Sequence, residues 1–342
     1  MHIIATVGPR SEEKWVLKEF INKGVDILRL NCSHFNKEEF SNVVSYSREI
    51  KKDIHIMTDL CGEKIRVSPK LKDIYKIYNG ETIYFCGEDF YTNINIENLK
   101  DMKLIPLTIP AELLLNRCIN NISMKDNTMN FEILEKKQGI IKAKVIRGGI
   151  VRSGKGCNIP DLKRDIPFLS EKDKNDIRWS IEKDIDIICQ SYVESKEDIE
   201  FLKEYINIEF SDYKKPEIWA KVETPKGIKN LKEIIKVTDN VVIGRGDLVP
   251  EAGLLEAVKL EDKAIEYIVK NNKNIIMATN LLNSMKNGSR ASLPEVESIY
   301  NFIKKGVRGF LLAGETSIGK APIKTIDFLN KAIIYYKAEN TL

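Results

Sequence analysis

Residues 218–225 read Ile-Trp-Ala-Lys-Val-Glu-Thr-Pro, IWAKVETP. Ile218, Trp219, Ala220 and Val222 have the character of a buried strand, yet Lys221 and Glu223 interrupt it. Side chains alternate along a strand, so the two charges share one face. Buried charges are costly unless they are paired or hold a metal or a substrate. Pro225 and Lys226-Gly227 follow at once, which ends the strand and puts both charges at its C-terminal tip.

Outward from this stretch, similar apolar runs recur. They are HIIATVG (2–8), ILRLNCS (27–33), HIMTDL (55–60), DIIC (186–189), EIWAKVE (217–223), NVVIGRGDL (240–248), NIIMATN (274–280) and GFLLAGET (309–316). Amphipathic segments lie between them. The segment 11–24 starts with Ser11 as N-cap and stops at Gly24 as C-cap. Ser170 is placed to cap a helix over 168–184, and 254–271 carries apolar residues three and four apart. Strands that alternate with helices imply a parallel sheet with right-handed crossovers, and eight is the count that closes a ring. Near-continuous apolar runs suit strands covered on both faces. The fold class expected is α/β, a TIM (β/α)8 barrel; an open doubly wound sheet is the alternative.

After the third strand the rhythm changes until residue 186. Segments such as ETIYFCG and GIIKAKVIRGGIV alternate with period two, and Asn79-Gly80, Lys125-Asp126-Asn127 and Gly148-Gly149 mark turns. A small all-β, antiparallel domain is therefore expected over 66–155, inserted into a barrel made of 1–65 and 156–342. An insertion after a strand's C-terminal end would serve as a lid over the barrel mouth.

The chain has 342 residues, 54 basic and 50 acidic, with a formal net charge of +4. The charges are dispersed, which argues against a nucleic-acid partner. No apolar run approaches the ~20 residues that span a bilayer, and MHIIATVGPR lacks the build of a signal peptide. The six cysteines, Cys32, Cys61, Cys86, Cys118, Cys157 and Cys189, form no C-x-x-C pair. They read as mostly buried free thiols of a cytoplasmic protein.

In a barrel the chemistry lies at the C-terminal ends of the strands. Those ends carry Arg29, Asn31, Ser33 and His34; Asp59; Lys221 and Glu223; Arg245 and Asp247; Thr279 and Asn280; Glu315 and Thr316. Glu223 and Asp247, on neighbouring strands, could offer two oxygens to Mg²⁺. Lys221 and Arg29 would then face an anion, most simply a phosphate. Gly244 and Gly246 allow close approach of the backbone. Blander readings stand beside these. Lys221 and Glu223 could be a structural pair, Arg29 a buried salt bridge, His34 a structural histidine and Thr279 a hydrogen-bond filler.

At these residues the chain resembles the pyruvate kinase family. The resemblance runs in order through IIATVGP (3–9), LRLNCSH (28–34), GKGCNIP (154–160), IPFLSEKD (166–173), AKVE (220–223), GRGDL (244–248), ATNLLNSM (278–285) and LLAGETSIGKAP (311–322). It implies a TIM barrel with an inserted β domain. The implied reaction is phosphoryl transfer from phosphoenolpyruvate to ADP, giving pyruvate and ATP, with Mg²⁺ or Mn²⁺. By resemblance Lys221 stabilises the phosphoryl group in flight, Arg29 binds phosphate, and Glu223 and Asp247 ligate the divalent metal. Gly246 and Asp247 meet the substrate carboxylate and the metal, and Thr279 lies near the enolate carbon and is linked to its protonation. Arg66, Lys155 and His34 fall at nucleotide-contacting positions, and Asp126 in the closing turn of the small domain.

Departures from the family pattern carry expectations of their own. Asn31, Ser33 and Asp59 match potassium ligands, but the usual threonine is Leu60 and the usual glutamate is Lys64. An ammonium group there would stand in for K⁺, so the enzyme is expected not to need potassium. Phe35 and Val249 replace glycines, and Glu194 replaces an arginine. The subunit-contact loop, SRASLPEVES (289–298), is only partly kept, which leaves a homo-oligomer open. No C-terminal regulatory domain is expected after the eighth helix, and with it no sugar-phosphate regulator. Rival readings are another Mg²⁺-dependent lyase or aldolase barrel acting on pyruvate-like acids, and a non-catalytic or specialised relative.

Overall fold

Eight short parallel strands close into a ring: β1 (His2–Thr6), β2 (Ile27–Asn31), β3 (His55–Asp59), β4 (Ile187–Gln190), β5 (Glu217–Val222), β6 (Asn240–Gly244), β7 (Asn274–Ala278) and β8 (Gly309–Leu312). Each strand pairs with its neighbours in sequence order, and β1 closes the ring on β8. The structure, a computed structural model, describes residues 1–93, 102–114, 119–125, 127–160, 162 and 169–339. The alternative of an open sheet is thereby excluded.

Alternation sorts each strand into two faces. Ile4, Ile27, Met57, Ile187, Cys189, Trp219, Val242, Ile276, Ala278 and Leu311 form one buried cluster that plugs the ring. The intervening residues, such as Leu28, Leu30, Ile56, Ile188, Ile218, Ile243 and Phe310, are buried on the other face. This is why the strands read as unbroken apolar runs. Two residues beyond the plug the same inward face continues as Thr6, Arg29, Asp59, Lys221 and Gly244, so the polar layer caps an apolar one.

The strand ends differ from the sequence reading in several places. β6 stops at Gly244, and Arg245–Ala252 is a helix rather than a continued strand. β2 passes into a 3₁₀ turn at Cys32–His34, whose N-cap Asn31 accepts from the Ser33 amide. β7 stops at Ala278, and Thr279 and Asn280 take left-handed φ values of 64° and 52°. The first helix begins at Lys14, and Ser11 instead hydrogen-bonds Gly8. The tight Gly8–Ser11 turn takes up the serine that would otherwise have capped the helix. Ser170 does cap its helix by accepting from Asp173 N, and Leu254–Lys270 is helical.

Contacts divide the chain into two compact units: Met1–Glu63 with Pro167–Leu248 and Ala257–Leu342, and Lys64–Ile166 with Val249–Glu256. The second unit holds a six-stranded sheet and a two-stranded one, Tyr75–Ile77 with Gly149–Val151. Four of the five pairings in the larger sheet are antiparallel. Thr82–Gly87 and Leu104–Leu107 run parallel, so the sheet is mixed rather than purely antiparallel. Its core includes Phe85 and Phe131 in edge contact at 5.2 Å. The turn at 125–127 is kept by left-handed Lys125 and Asn127; Asp126 lies outside the described residues, as does Cys118. A further hairpin turn, Gln138-Gly139, has φ values of 50° and 82°, as a primed two-residue turn requires.

Candidate active site at the barrel mouth

Lys221 follows Trp219 on the inward face of β5 and reaches Asp59 at the tip of β3. Its Nζ lies 2.8 Å from both Asp59 oxygens and 3.7 Å from Glu223 Oε1. Arg29, inward on β2, donates to Asp59 Oδ2 through Nε at 2.8 Å, and its second terminal nitrogen lies 2.6 Å from the same oxygen. Its other terminal nitrogen donates to Thr6 Oγ1 at 2.8 Å. Ser191, just past β4, donates to Asp59 Oδ1 at 2.9 Å. Groups from the ends of β2, β4 and β5 thus converge on Asp59, a carboxylate that is 1 % exposed, and β1 joins through the contact of Thr6 with Arg29.

The energetics follow from burial against pairing. Burial pushes the Asp59 carboxyl up, but the adjacent charges of Lys221 and Arg29 and their hydrogen bonds outweigh it and hold the group down at about 2. Burial pulls the Lys221 ammonium down, and the Asp59 and Glu223 carboxylates more than reverse that, so it sits well above the ordinary lysine value. Lys221 is therefore a fixed cation at neutral pH. The structural pair weighed for Lys221 proves to be made chiefly with Asp59, and Arg29 is the buried salt bridge the sequence also allowed. The sequence placed Asp59 among monovalent-cation positions; in the fold both of its oxygens already accept from protein donors. Asn31 accepts from Ser33 N at 3.1 Å, and Ser33 Oγ lies 3.6 Å from Cys61 Sγ.

Glu223 is 4 % exposed and Asp247 9 %. The register Val222↔Ile243 lays Glu223 over Gly244, where a β-carbon would fall 2.5 Å from Glu223 Oε1. Only glycine leaves room for that carboxylate. The Tyr192 amide donates to Glu223 Oε2 at 3.2 Å, from a residue in left-handed conformation at φ 56°. Asp247 stands in the first turn of the helix that begins at Arg245. Glu223 and Asp247 are both buried carboxylates at strand ends, hard-oxygen donors of the kind that suit Mg²⁺ or Mn²⁺; Glu223 Oε1 lies 3.7 Å from the Lys221 ammonium. Among the described residues, ligand atoms of Cys61, Asp173 and Asp176 lie within 4.8 Å of one another. These carboxylates are taken up by Lys172 at 2.6 Å, Ser170 at 2.7 Å and the Cys61 amide at 3.1 Å.

Thr279 Oγ1 accepts from Gly246 N at 2.8 Å and donates to Ala278 O at 2.6 Å. A β-branched residue at φ 64° is strained by roughly 1–3 kcal/mol. Arg245, named in the sequence among the strand-end groups, donates to the carbonyl oxygens of Thr279 and Asn280. Beside this layer a cavity of about 460 Å³ is lined by residues including Pro9, Arg29, Asn31, His34 and Phe40. A larger cavity, about 710 Å³, is lined by Lys203, Lys215, Glu217 and Asp239. It adjoins the N-terminal ends of β5 and β6, away from the charged layer, and has no share in this chemistry. In the second unit, Arg66 bridges Gly156 and donates to Gly154 O at 3.1 Å, while Val67 N donates to Lys155 O at 2.8 Å. Arg66 and Lys155 are thus on adjacent extended segments, and burial, then Lys125 and Arg152, lower the Lys155 pKa. Lys64 packs against Gly156.

Three contributors were not singled out in the sequence. Ser191 and Thr6 support Asp59 and Arg29, and Tyr192 supports Glu223. For Ser191 the signal was available in kind: a small polar residue directly after an apolar strand, at the end where barrel chemistry gathers.

Comparison with known proteins agrees with this geometry. The model of the pyruvate kinase barrel domain matches residues 1–326. Similar proteins include pyruvate kinase of Methanocaldococcus jannaschii, 36 % identical over 96 % of this chain and 68 % of the relative. Pyruvate kinase of Clostridium perfringens is 29 % identical over 99 % of this chain and 70 % of its own length. Pyruvate kinase 1 of Saccharomyces cerevisiae is 30 % identical over 95 % and 65 %. The chain therefore belongs to the pyruvate kinase family, a family of phosphotransferases.

Proposed function

We propose that this chain transfers the phosphoryl group of phosphoenolpyruvate to ADP, yielding pyruvate and ATP. The observation that carries the proposal is the layer at the barrel mouth, where Lys221 and Arg29 are held as cations around Asp59, next to Glu223. In the transfer, the bond between the substrate's enol oxygen and phosphorus breaks, and a bond from an ADP β-phosphate oxygen to phosphorus forms. Charge spreads over the phosphoryl oxygens, so fixed cations matter more than covalent chemistry. Lys221 is the cation for the group in flight and Arg29 holds the phosphate. The backbone around Gly246 and the Asp247 side chain are assigned to the carboxylate end and the metal. The enolate left behind takes a proton at its methylene carbon, and Thr279 is the residue assigned to that step.

Glu223 and Asp247 would hold Mg²⁺ or Mn²⁺. When bound, such an ion supplies charge neutralisation and orientation for the phosphoryl oxygens. The cavity beside His34 suits the nucleotide. The test is formation of pyruvate and ATP from phosphoenolpyruvate and ADP. Lys221→Met should abolish turnover; ATP formation that survives the substitution would show that Lys221 is not the cation for the transferring group.

The chain's own residues also support independence from potassium. Leu60, 1 % exposed, offers no side-chain oxygen, and Lys64 brings a cation of its own. Turnover should be equal in potassium and in tetramethylammonium salts, and Lys64→Glu should create a potassium requirement. Activity that collapses in the organic salt contradicts this reading.

A further inference from the structure

Arg245 is spent where its sequence position did not suggest. Its guanidinium reaches across from the end of β6 to the end of β7. Nε donates to Thr279 O at 3.1 Å, and one terminal nitrogen donates to Thr279 O at 2.6 Å and to Asn280 O at 2.9 Å. The same group lies 5.2 Å over the Phe302 ring, with Nε 3.7 Å from Glu261 Oε2. It is thus fixed from three sides. The carbonyls it holds belong to two consecutive non-glycine residues in left-handed conformation. Such a pair persists only where its surroundings over-determine it. The hydroxyl of the first residue is in turn pinned between Gly246 N and Ala278 O.

We infer that Arg245 is a positioning residue: it holds the Thr279–Asn280 turn in its left-handed form and thereby sets where Thr279 Oγ1 sits against Gly246. The inference rests on the reading of Thr279 as the group beside the carbon that takes the proton. A lysine could not replace the fork that spans two successive carbonyls while stacking on Phe302. A displaced hydroxyl would slow the proton step far more than it would weaken binding of either substrate, since Arg245 spends its hydrogen bonds on backbone and not on ligand.

The test uses the full chain with Arg245→Gln and Arg245→Lys. Three readouts are compared: steady-state formation of pyruvate, exchange of the pyruvate methyl protons with deuterated solvent in the presence of ATP and Mg²⁺, and backbone amide exchange of the peptide covering 279–282. Both variants should lose about tenfold or more in the methyl-exchange rate. The KM values for phosphoenolpyruvate and ADP should change little. Amides of 279–282 should exchange faster while those of β1 to β6 keep their protection, and added guanidinium below denaturing concentration should restore part of the methyl exchange to Arg245→Gln. Unchanged methyl exchange and unchanged protection at 279–282 would overturn the inference, as would full rescue by lysine. If the wild type neither makes ATP nor exchanges the methyl protons, the proposed function fails instead, and protection at 279–282 still decides whether Arg245 holds the turn.

Discussion

Replacing Asp59 with Asn removes one charge and almost no volume, at the residue on which the barrel mouth converges. In the native protein its two oxygens accept from Lys221, Arg29 and Ser191. The substitution leaves two buried cations with Glu223 as the neighbouring countercharge, 3.7 Å from Lys221. Holding the carboxyl at about 2 instead of 3.8 corresponds to about 2.5 kcal/mol of folding stability. Breaking a buried pair by removing one partner typically costs about 3–5 kcal/mol, so a loss of about 3 kcal/mol is expected at pH 7. In urea, followed by the fluorescence of buried Trp219, the midpoint should fall by roughly 1 M. The pH dependence supplies a second check. Because the folded-state value is depressed, the contribution is present above about pH 4 and is lost as pH falls toward 2. The stability gap between wild type and Asp59→Asn should therefore be constant from pH 7 to 5 and shrink below pH 4. A midpoint that moves by less than about 0.2 M at pH 7, or a gap that stays flat across the acid range, would mean that Asp59 is not the anchor of this layer.

Other substitutions probe neighbouring parts of the site. Gly244→Ala puts a methyl group 2.5 Å from Glu223 Oε1; the Mg²⁺ concentration that supports half-maximal turnover should rise about 10–100-fold, and an unchanged titration contradicts the role of Glu223. Ser191→Ala removes a donor to a charged oxygen and should destabilise by about 1.5 kcal/mol in urea. Combined with Asp59→Asn it should add much less than that, because the two act on one network; simple additivity would place Ser191 outside it. Gly62→Ala forces a side chain onto a residue at φ +57° whose β-carbon would lie 2.5 Å from Ser191 O. Calorimetry should show a loss above about 1 kcal/mol, and a neutral result would mean that the loop after β3 relaxes freely.

What could be read from the sequence was what local periodicity encodes. Alternation alone put Lys221 and Glu223 on one face of one strand, and β5 bears that out through Trp219 below them. The apolar runs of β1 to β8 were legible because both strand faces are buried. The overruns at strand ends were not. Val-Val-Ile-Gly-Arg-Gly reads as extended chain up to the point where Arg245 begins a helix, and nothing local marks the switch. Partner choice was also hidden. That Lys221 and Arg29 meet on Asp59 depends on the registers Asn31↔Asp59 and Cys189↔Asp59, which are set by closure of the ring. For the same reason the partners of Arg245 were hidden, since those carbonyls lie more than thirty residues away. Ser11 was misread because its turn with Gly8 competes with capping. The parallel edge pair of the second unit follows from a crossover that no hairpin signal announces.

The decisive assay follows phosphoenolpyruvate and ADP with the wild-type chain, in the presence of Mg²⁺ and after its removal by chelation. Pyruvate and ATP should form in equal amounts with Mg²⁺, and neither should form without it. Consumption of phosphoenolpyruvate without ATP, or equal turnover after chelation, would be incompatible with a metal-assisted phosphoryl transfer at the barrel mouth.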